Sequence, residues 1–223
     1  VFAWSEKKMT LEQADWDAIY IRDSSPGNLS KKVSADVNHD GNPEGYTLNN
    51  GRLSVVQGQH RIWESPPDWW IDNFVVEDST NDGAGDLNLS VWVMALTNDV
   101  PILWPPQAIP RLVNRFIAYT FRQGNLEPLW TSPALPGPIH DFTVADINND
   151  SRNELILIEG SYHADTYFTG TFVTLRQWNG REFITTWHSR KGEYRNLEIL
   201  CIDGVPHIAT VGPAPAGTLE SGE

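Results

Sequence analysis

Apolar positions fall in short bursts separated by clusters of Asp, Asn, Gly and Pro. Over residues 87–93 apolar and polar residues alternate, and residues 155–158 form a brief unbroken apolar run. Both patterns predict β-strands. Further strand candidates come in pairs: 52–56 with 60–63, 116–121 with 126–130, and 172–178 with 183–187. Turn chemistry such as Gln123-Gly124-Asn125 and Asn179-Gly180-Arg181 separates the members of a pair, as hairpins require. Residues 197–202 and 206–211 predict a plain hairpin around Asp203-Gly204.

These strands recur as a unit. Trp63-Glu-Ser65, Trp130-Thr-Ser132 and Trp187-His-Ser189 repeat one signature, and an Asp follows each Trp after 15, 16 and 16 residues, at Asp78, Asp146 and Asp203. Each unit holds about four short antiparallel strands, which predicts an all-β fold, a β-propeller of four-stranded antiparallel blades. The blades are expected at about 29–66, 69–132 and 138–189, with a fourth made of 195–212 plus 1–23. In that fourth blade the N-terminal candidates 1–4 and 16–21 supply the two missing strands, closing a four-blade ring and removing exposed edges. A fragment of a larger propeller is the competing expectation. Residues 1–212 then form a single domain, and the Pro/Gly-rich tail 213–223 is expected to be disordered.

Three acidic nonapeptides sit between strands: 36–44, 78–86 and 146–154. Each places oxygen-bearing side chains at loop positions 1, 3, 5 and 9 and leaves position 7 to a backbone carbonyl, the alternation that wraps a hard cation such as Ca²⁺. They are not EF-hands. Position 12 is Thr47, Leu89 or Leu157 instead of Glu, and strands flank the loops instead of helices. Solvated turns are the bland alternative for one copy, since Asp, Asn and Gly are ordinary turn formers. Three copies in matched register favour metal.

Charge sharpens this reading. The formal net charge is −13, and nine carboxylates crowd into the three loops. Like-charge repulsion inside so short a turn opposes folding unless a cation offsets it. Three divalent ions would bring the formal charge to about −7. The same acidity argues against nucleic acid as a partner. No apolar run approaches a membrane span, so no membrane insertion is expected. The single Cys201 excludes an internal disulfide framework and reads as a small buried hydrophobe in an apolar strand.

The loops between strands resemble FG-GAP and VCBS-type repeats, the calcium-binding repeats of integrin α-chain-like β-propellers. The resemblance covers about residues 28–212, is specific for the loops and is weak elsewhere. It implies up to three calcium ions. The first would be held by Asp36, Asn38, Asp40, the Asn42 carbonyl and Glu44. The second would use Asp78, Thr80, Asp82, the Ala84 carbonyl and Asp86, and the third Asp146, Asn148, Asp150, the Arg152 carbonyl and Glu154. Thr80 departs from the pattern with a hydroxyl, Ser151 replaces the usual Gly at the sharp sixth position, and no Phe-Gly…Gly-Ala-Pro stretch is present.

In an up-and-down blade these loops are first turns and share one face. The opposite face collects two insertions, 94–114 and 161–167, and the aromatic link 66–70. Long loops on a rigid scaffold carry recognition. The expected ligand-binding residues are Trp70, Trp104, Tyr162, His163 and Tyr167, weighed against simple packing of the same rings. Trp63, Trp130 and Trp187 are expected in the core, His39 facing solvent, and His140 with Asp141 as a buried hydrogen-bonded pair. The expected function is a non-catalytic, calcium-binding, extracytoplasmic module for a protein or glycan ligand, a monomer or part of a larger surface protein. No targeting signal is visible in the chain. Loops of modest ligand charge bind calcium with Kd on the order of 10⁻⁶ to 10⁻³ M, which suits an extracellular setting. The alternatives are a carbohydrate-active lyase or hydrolase, for which no nucleophile elbow, zinc motif or phosphate loop is present, and a purely structural domain.

Overall fold

The computed structural model describes residues 2–5, 10–13, 30–95, 112–162 and 170–211. These residues form an all-β structure of sixteen strands in four separate antiparallel sheets. The first sheet is β3 (Ser30–Ala35), β4 (Glu44–Asn49), β5 (Arg52–Gln57) and β6 (His60–Glu64). The second is β7 (Trp70–Glu77), β8 (Asp86–Met94), β9 (Leu112–Arg122) and β10 (Asn125–Thr131). The third is β11 (Ile139–Ala145), β12 (Glu154–Glu159), β13 (Phe172–Trp178) and β14 (Phe183–His188). In all three the strands pair in chain order.

The fourth sheet joins the two ends of the described chain. Its order is β15 (Arg195–Ile202), β16 (Val205–Val211), β1 (Phe2–Ser5) and β2 (Thr10–Gln13), with Phe2 opposite Ile208. The expected first N-terminal strand is therefore present. Its partner is Thr10–Gln13, while the expected strand at 16–21 and the tail 213–223 lie outside the described residues. Asp203 and Gly204 turn the β15–β16 hairpin with φ of 52° and 79°, the doubly left-handed geometry that a two-residue hairpin favours.

Three apolar clusters stack the sheets in series. Tyr46, Leu48, Leu53 and Val55 of the first sheet meet Ile71, Phe74 and Leu89 of the second. Phe116 and Ala118 meet Phe142, Leu157 and Phe183 across the second and third. Ile156, Ile158 and Val173 meet Ile208, with Leu197 and Ile199 packed alongside, across the third and fourth. Inner strands between two neighbours are buried on both faces, which explains the unbroken apolar run at 155–158.

The Trp-x-Ser signature acquires a physical explanation. Its Trp packs against a core cluster at all three positions, Trp63, Trp130 and Trp187. Its Ser is buried and clasps the sheet's third strand with two hydrogen bonds. Ser65 N donates to the Leu53 carbonyl and Leu53 N donates back to Ser65 Oγ. Ser132 does the same with Phe116, and Ser189 with Val173. The clasp lies one residue beyond the last paired positions of the third and fourth strands, and covers backbone groups that would otherwise be orphaned in the core.

A second repeated feature links the sheets. Lys31, Asn73 and Asp141 occupy matching positions on β3, β7 and β11, opposite Leu48, Ser90 and Ile158. Each reaches forward to the next sheet's first strand. Lys31 Nζ donates to Asn73 Oδ1 at 2.9 Å and to the Phe74 carbonyl at 2.5 Å. Asn73 Nδ2 donates to Asp141 Oδ1 at 3.1 Å, and Leu197 N of β15 donates to Asp141 Oδ2 at 2.9 Å. Burial pushes the Lys31 pKa down and the Asp141 pKa up, and each charge opposes the other's shift.

Two expectations are corrected. Cys201 is exposed, because β15 is the edge of its sheet and the residue stands two positions from the turn. His140 and Asp141 do not form a pair. A bulge between Ile139 and Asp141 interrupts the alternation, and the His140 ring packs against Gly160 with Nε2 buried and unpartnered.

Replacing Asp141 with Ala leaves Leu197 N and Asn73 without an acceptor and Lys31 without its counter-charge. The expected loss is about 3–5 kcal/mol, read as a lower urea midpoint with an unchanged slope.

Candidate functional site

The three acidic loops fold alike. At position 1, Asp36, Asp78 and Asp146 each accept from the backbone N–H of positions 5 and 6, at 3.1 and 3.0 Å, 3.2 and 2.8 Å, and 3.1 and 2.8 Å. At position 5, Asp40, Asp82 and Asp150 accept from the N–H of position 7. Positions 4 and 6 are left-handed throughout: His39, Asn81 and Asn149 have φ of 57°, 61° and 58°, and Gly41, Gly83 and Ser151 have 87°, 90° and 66°. Ser151 thus makes the same sharp turn as its glycine counterparts, at the conformational cost that a side chain carries there. His39 is exposed, as expected.

Position 9 closes each loop onto the core. Glu44, Asp86 and Glu154 are fully or almost fully buried, and one oxygen of each accepts the N–H of position 2, at Val37, Ser79 and Ile147. What meets the other oxygen differs. In the first loop, Gln57 of β5 brings its amide nitrogen to 3.2 Å from Glu44 Oε1, 2.7 Å from Asp40 Oδ2 and 3.0 Å from the Asn42 carbonyl. Three of the expected ligand oxygens therefore converge on one point. Carboxylate oxygens of Asp36, Asp40 and Glu44 also lie within 4.8 Å of one another, the one such cluster among the described residues. In the third loop, Gln177 donates to Glu154 Oε1 at 2.7 Å.

The second loop has no such amide. Thr120 stands opposite Asp86, as Gln57 stands opposite Glu44. Asp86 Oδ2 takes four donors, the N–H and hydroxyl of both Ser79 and Thr80. Asp86 Oδ1 is buried with no partner. Burial pushes this carboxyl up to about 6, against the pull of the Ser79 and Thr80 hydrogen bonds, and Asp82 adds like-charge repulsion. Thr80, expected as a ligand, points its hydroxyl at Asp86. In the third loop burial likewise raises the Glu154 pKa, with Asp150 and Asp146 adding to it. Asp40 behaves oppositely, held below the usual carboxylate range by the Asn42 N–H and then by Gln57.

At the far end of β7, eight residues and roughly 25 Å of strand rise from Asp78, lies an aromatic cluster. Trp70 is 46% exposed and lies over Gly51. Its indole N–H donates to Asp72 Oδ1 at 3.0 Å, and Trp92 donates to Asp72 Oδ2. Trp92 meets Tyr162 edge-on at 5.9 Å. The Tyr162 hydroxyl accepts from Asn114 N at 3.0 Å and donates to the Leu135 carbonyl at 2.9 Å. Trp70 and Tyr162 thus belong to one constellation through Asp72 and Trp92, neither of which the sequence pattern singles out. Trp104, His163 and Tyr167 lie outside the described residues.

Compared with protein-family models, the chain matches none, and comparison with curated proteins likewise finds no match. Among the described residues no helix is long and apolar enough to cross a membrane.

Burial raises the Asp72 carboxyl to about 6, despite hydrogen bonds from Trp92 and Trp70 that favour its charged form. Because the folded value lies above the ordinary 3.8, protonated Asp72 stabilises the fold below that pH, and the contribution fades as pH rises to about 6. The stability difference between wild type and Asp72→Asn should therefore step by on the order of 2 kcal/mol between pH 4 and 6, measured by urea unfolding at each pH.

Proposed function

We propose that this protein is a non-catalytic, calcium-stabilised β-propeller of four blades, related to the FG-GAP and VCBS-type repeats, that serves as an extracytoplasmic module for binding a protein or glycan. The observation that carries the metal reading is the Asp86 carboxylate: buried, with Oδ1 unpartnered, in a loop that already holds Asp78 and Asp82. A buried anionic oxygen without a donor is costly, and a cation removes that cost. The donors suit calcium, a hard ion that takes carboxylates, amide oxygens and backbone carbonyls in flexible geometry. When bound, the ion supplies positive charge to each three-carboxylate loop, while the chain supplies the turn and the buried position-9 anchor.

The ring is supported by the forward steps from β3 to β7 to β11 to β15, all in one sense, and by the sheet that unites β16 with β1. The recognition face is assigned to the Trp70 end of β7. An exposed indole held by Asp72 offers a pre-oriented flat surface with little rotamer freedom left to lose, which suits a sugar ring or an apolar side chain.

Thermal unfolding with and without a chelator tests the metal. At calcium about a hundredfold above Kd, one site contributes about 2.7 kcal/mol, so chelation should lower Tm by roughly 5–10 °C for a domain of this size. Asp86→Ala should remove one ion by elemental analysis. Identical melting curves would overturn the calcium reading. For recognition, glycan and protein arrays probed with wild type and Trp70→Ala should show binding that the variant loses.

A further inference from the structure

The second and third acidic loops touch each other. Asn81, at position 4 of the second loop, donates from Nδ2 to the Asn153 carbonyl at 3.1 Å and accepts from Asn153 N at 2.5 Å. Asn153, at position 8 of the third loop, donates from Nδ2 to the Asp78 carbonyl at 2.8 Å. Three hydrogen bonds thus tie segments 72 to 75 residues apart in sequence. Asn153 lies between Arg152 and Glu154, the expected ligands at positions 7 and 9. Asn81 lies between Thr80 and Asp82, at positions 3 and 5. The first loop meets the second differently. The Val37 methyl groups stand 3.1 and 3.4 Å from where a side-chain carbon on Gly85 would be, a close apolar approach with no hydrogen bond in it.

We propose that Asn81 and Asn153 make the second and third loops one binding unit, so that a divalent cation entering one raises the affinity of the other. This rests on the calcium reading above. Wrapping a cation requires a loop to give up backbone freedom, which opposes binding. A loop whose neighbour is already ordered has less left to lose, and the second ion binds more tightly without any change of ligand. The clasp is suited to this because it grips the backbone beside the ligands in both loops. The buried, unpartnered Asp86 Oδ1 places the stronger demand for a cation in the second loop, so this loop fills first and orders the third. The first loop fills independently.

The test is calcium titration calorimetry on the whole protein. Wild type should show two coupled sites and one independent site. Asp78→Ala, which disables the second site, should weaken the third at least fivefold. Asn81→Gly removes two of the three clasp bonds yet keeps a residue at ease with left-handed φ. It should retain all three ions and lose the coupling, and in that background Asp78→Ala should leave the third site unchanged. Asn153→Ala, which removes only the third clasp bond, serves as the second variant and should reduce the coupling without abolishing it. Three independent sites in wild type, or coupling that survives both clasp variants undiminished, overturns the proposal while the calcium reading stands. A wild type that takes up no calcium overturns both.

Discussion

A single carboxylate, that of Asp141, answers to the first strand of every sheet. It accepts from Asn73 on β7, from Leu197 N on β15 and from Phe142 N on its own strand, and it faces the charge of Lys31 on β3. Small four-stranded sheets stack readily through apolar side chains, but apolar contact is non-directional and permits sliding. Hydrogen bonds to a buried charge do not permit it, because a shifted sheet would leave the charge unpaired. The polar chain through Lys31, Asn73 and Asp141 therefore fixes the offset between sheets that the three apolar clusters merely press together. The acidic loops at one end of the first hairpins and the aromatic cluster at the other inherit their positions from that offset.

Much of the fold is legible in the sequence because the chain repeats itself. The spacing from Trp63, Trp130 and Trp187 to the following Asp marks equivalent points in successive sheets, and the strand candidates fall where hairpin turn residues bracket apolar alternation. The strand at Thr10–Gln13 escapes the pattern because it carries one apolar residue, Leu11, whereas 16–21 looks more strand-like. Cys201 misleads for a related reason: an apolar neighbourhood in sequence says nothing about which strand is the sheet edge.

The site is legible only in part. Alternating oxygen donors reveal the loops, since ligands within one short turn are neighbours in sequence. Gln57 and Gln177 approach from the third strand, 13 and 23 residues away from the carboxylates they meet, and no local pattern points to them. Asp72 and Trp92 are hidden similarly, by a bulge that breaks alternation between Ile71 and Asn73 and by a separation of 20 residues. The differing treatment of the position-9 oxygen, satisfied by an amide at Glu44 and Glu154 and by nothing at Asp86 of the second loop, is a tertiary fact. It makes chemically similar motifs unequal.

Pairing Phe2 with Ile208 has a kinetic meaning. The first three sheets are each made from one contiguous stretch, so their hairpins need only short loop closures. The fourth must bring together strands separated by nearly the whole described chain, and such long-range pairing is slow to nucleate. During synthesis β1 and β2 emerge well before β16 and wait for it before they can find their place. Until then β1 and β2 are an unpaired hairpin, and the outer edge of β16 stands open as a template for another chain. Completion of the fourth sheet thus depends on a late strand capturing one made about two hundred residues earlier.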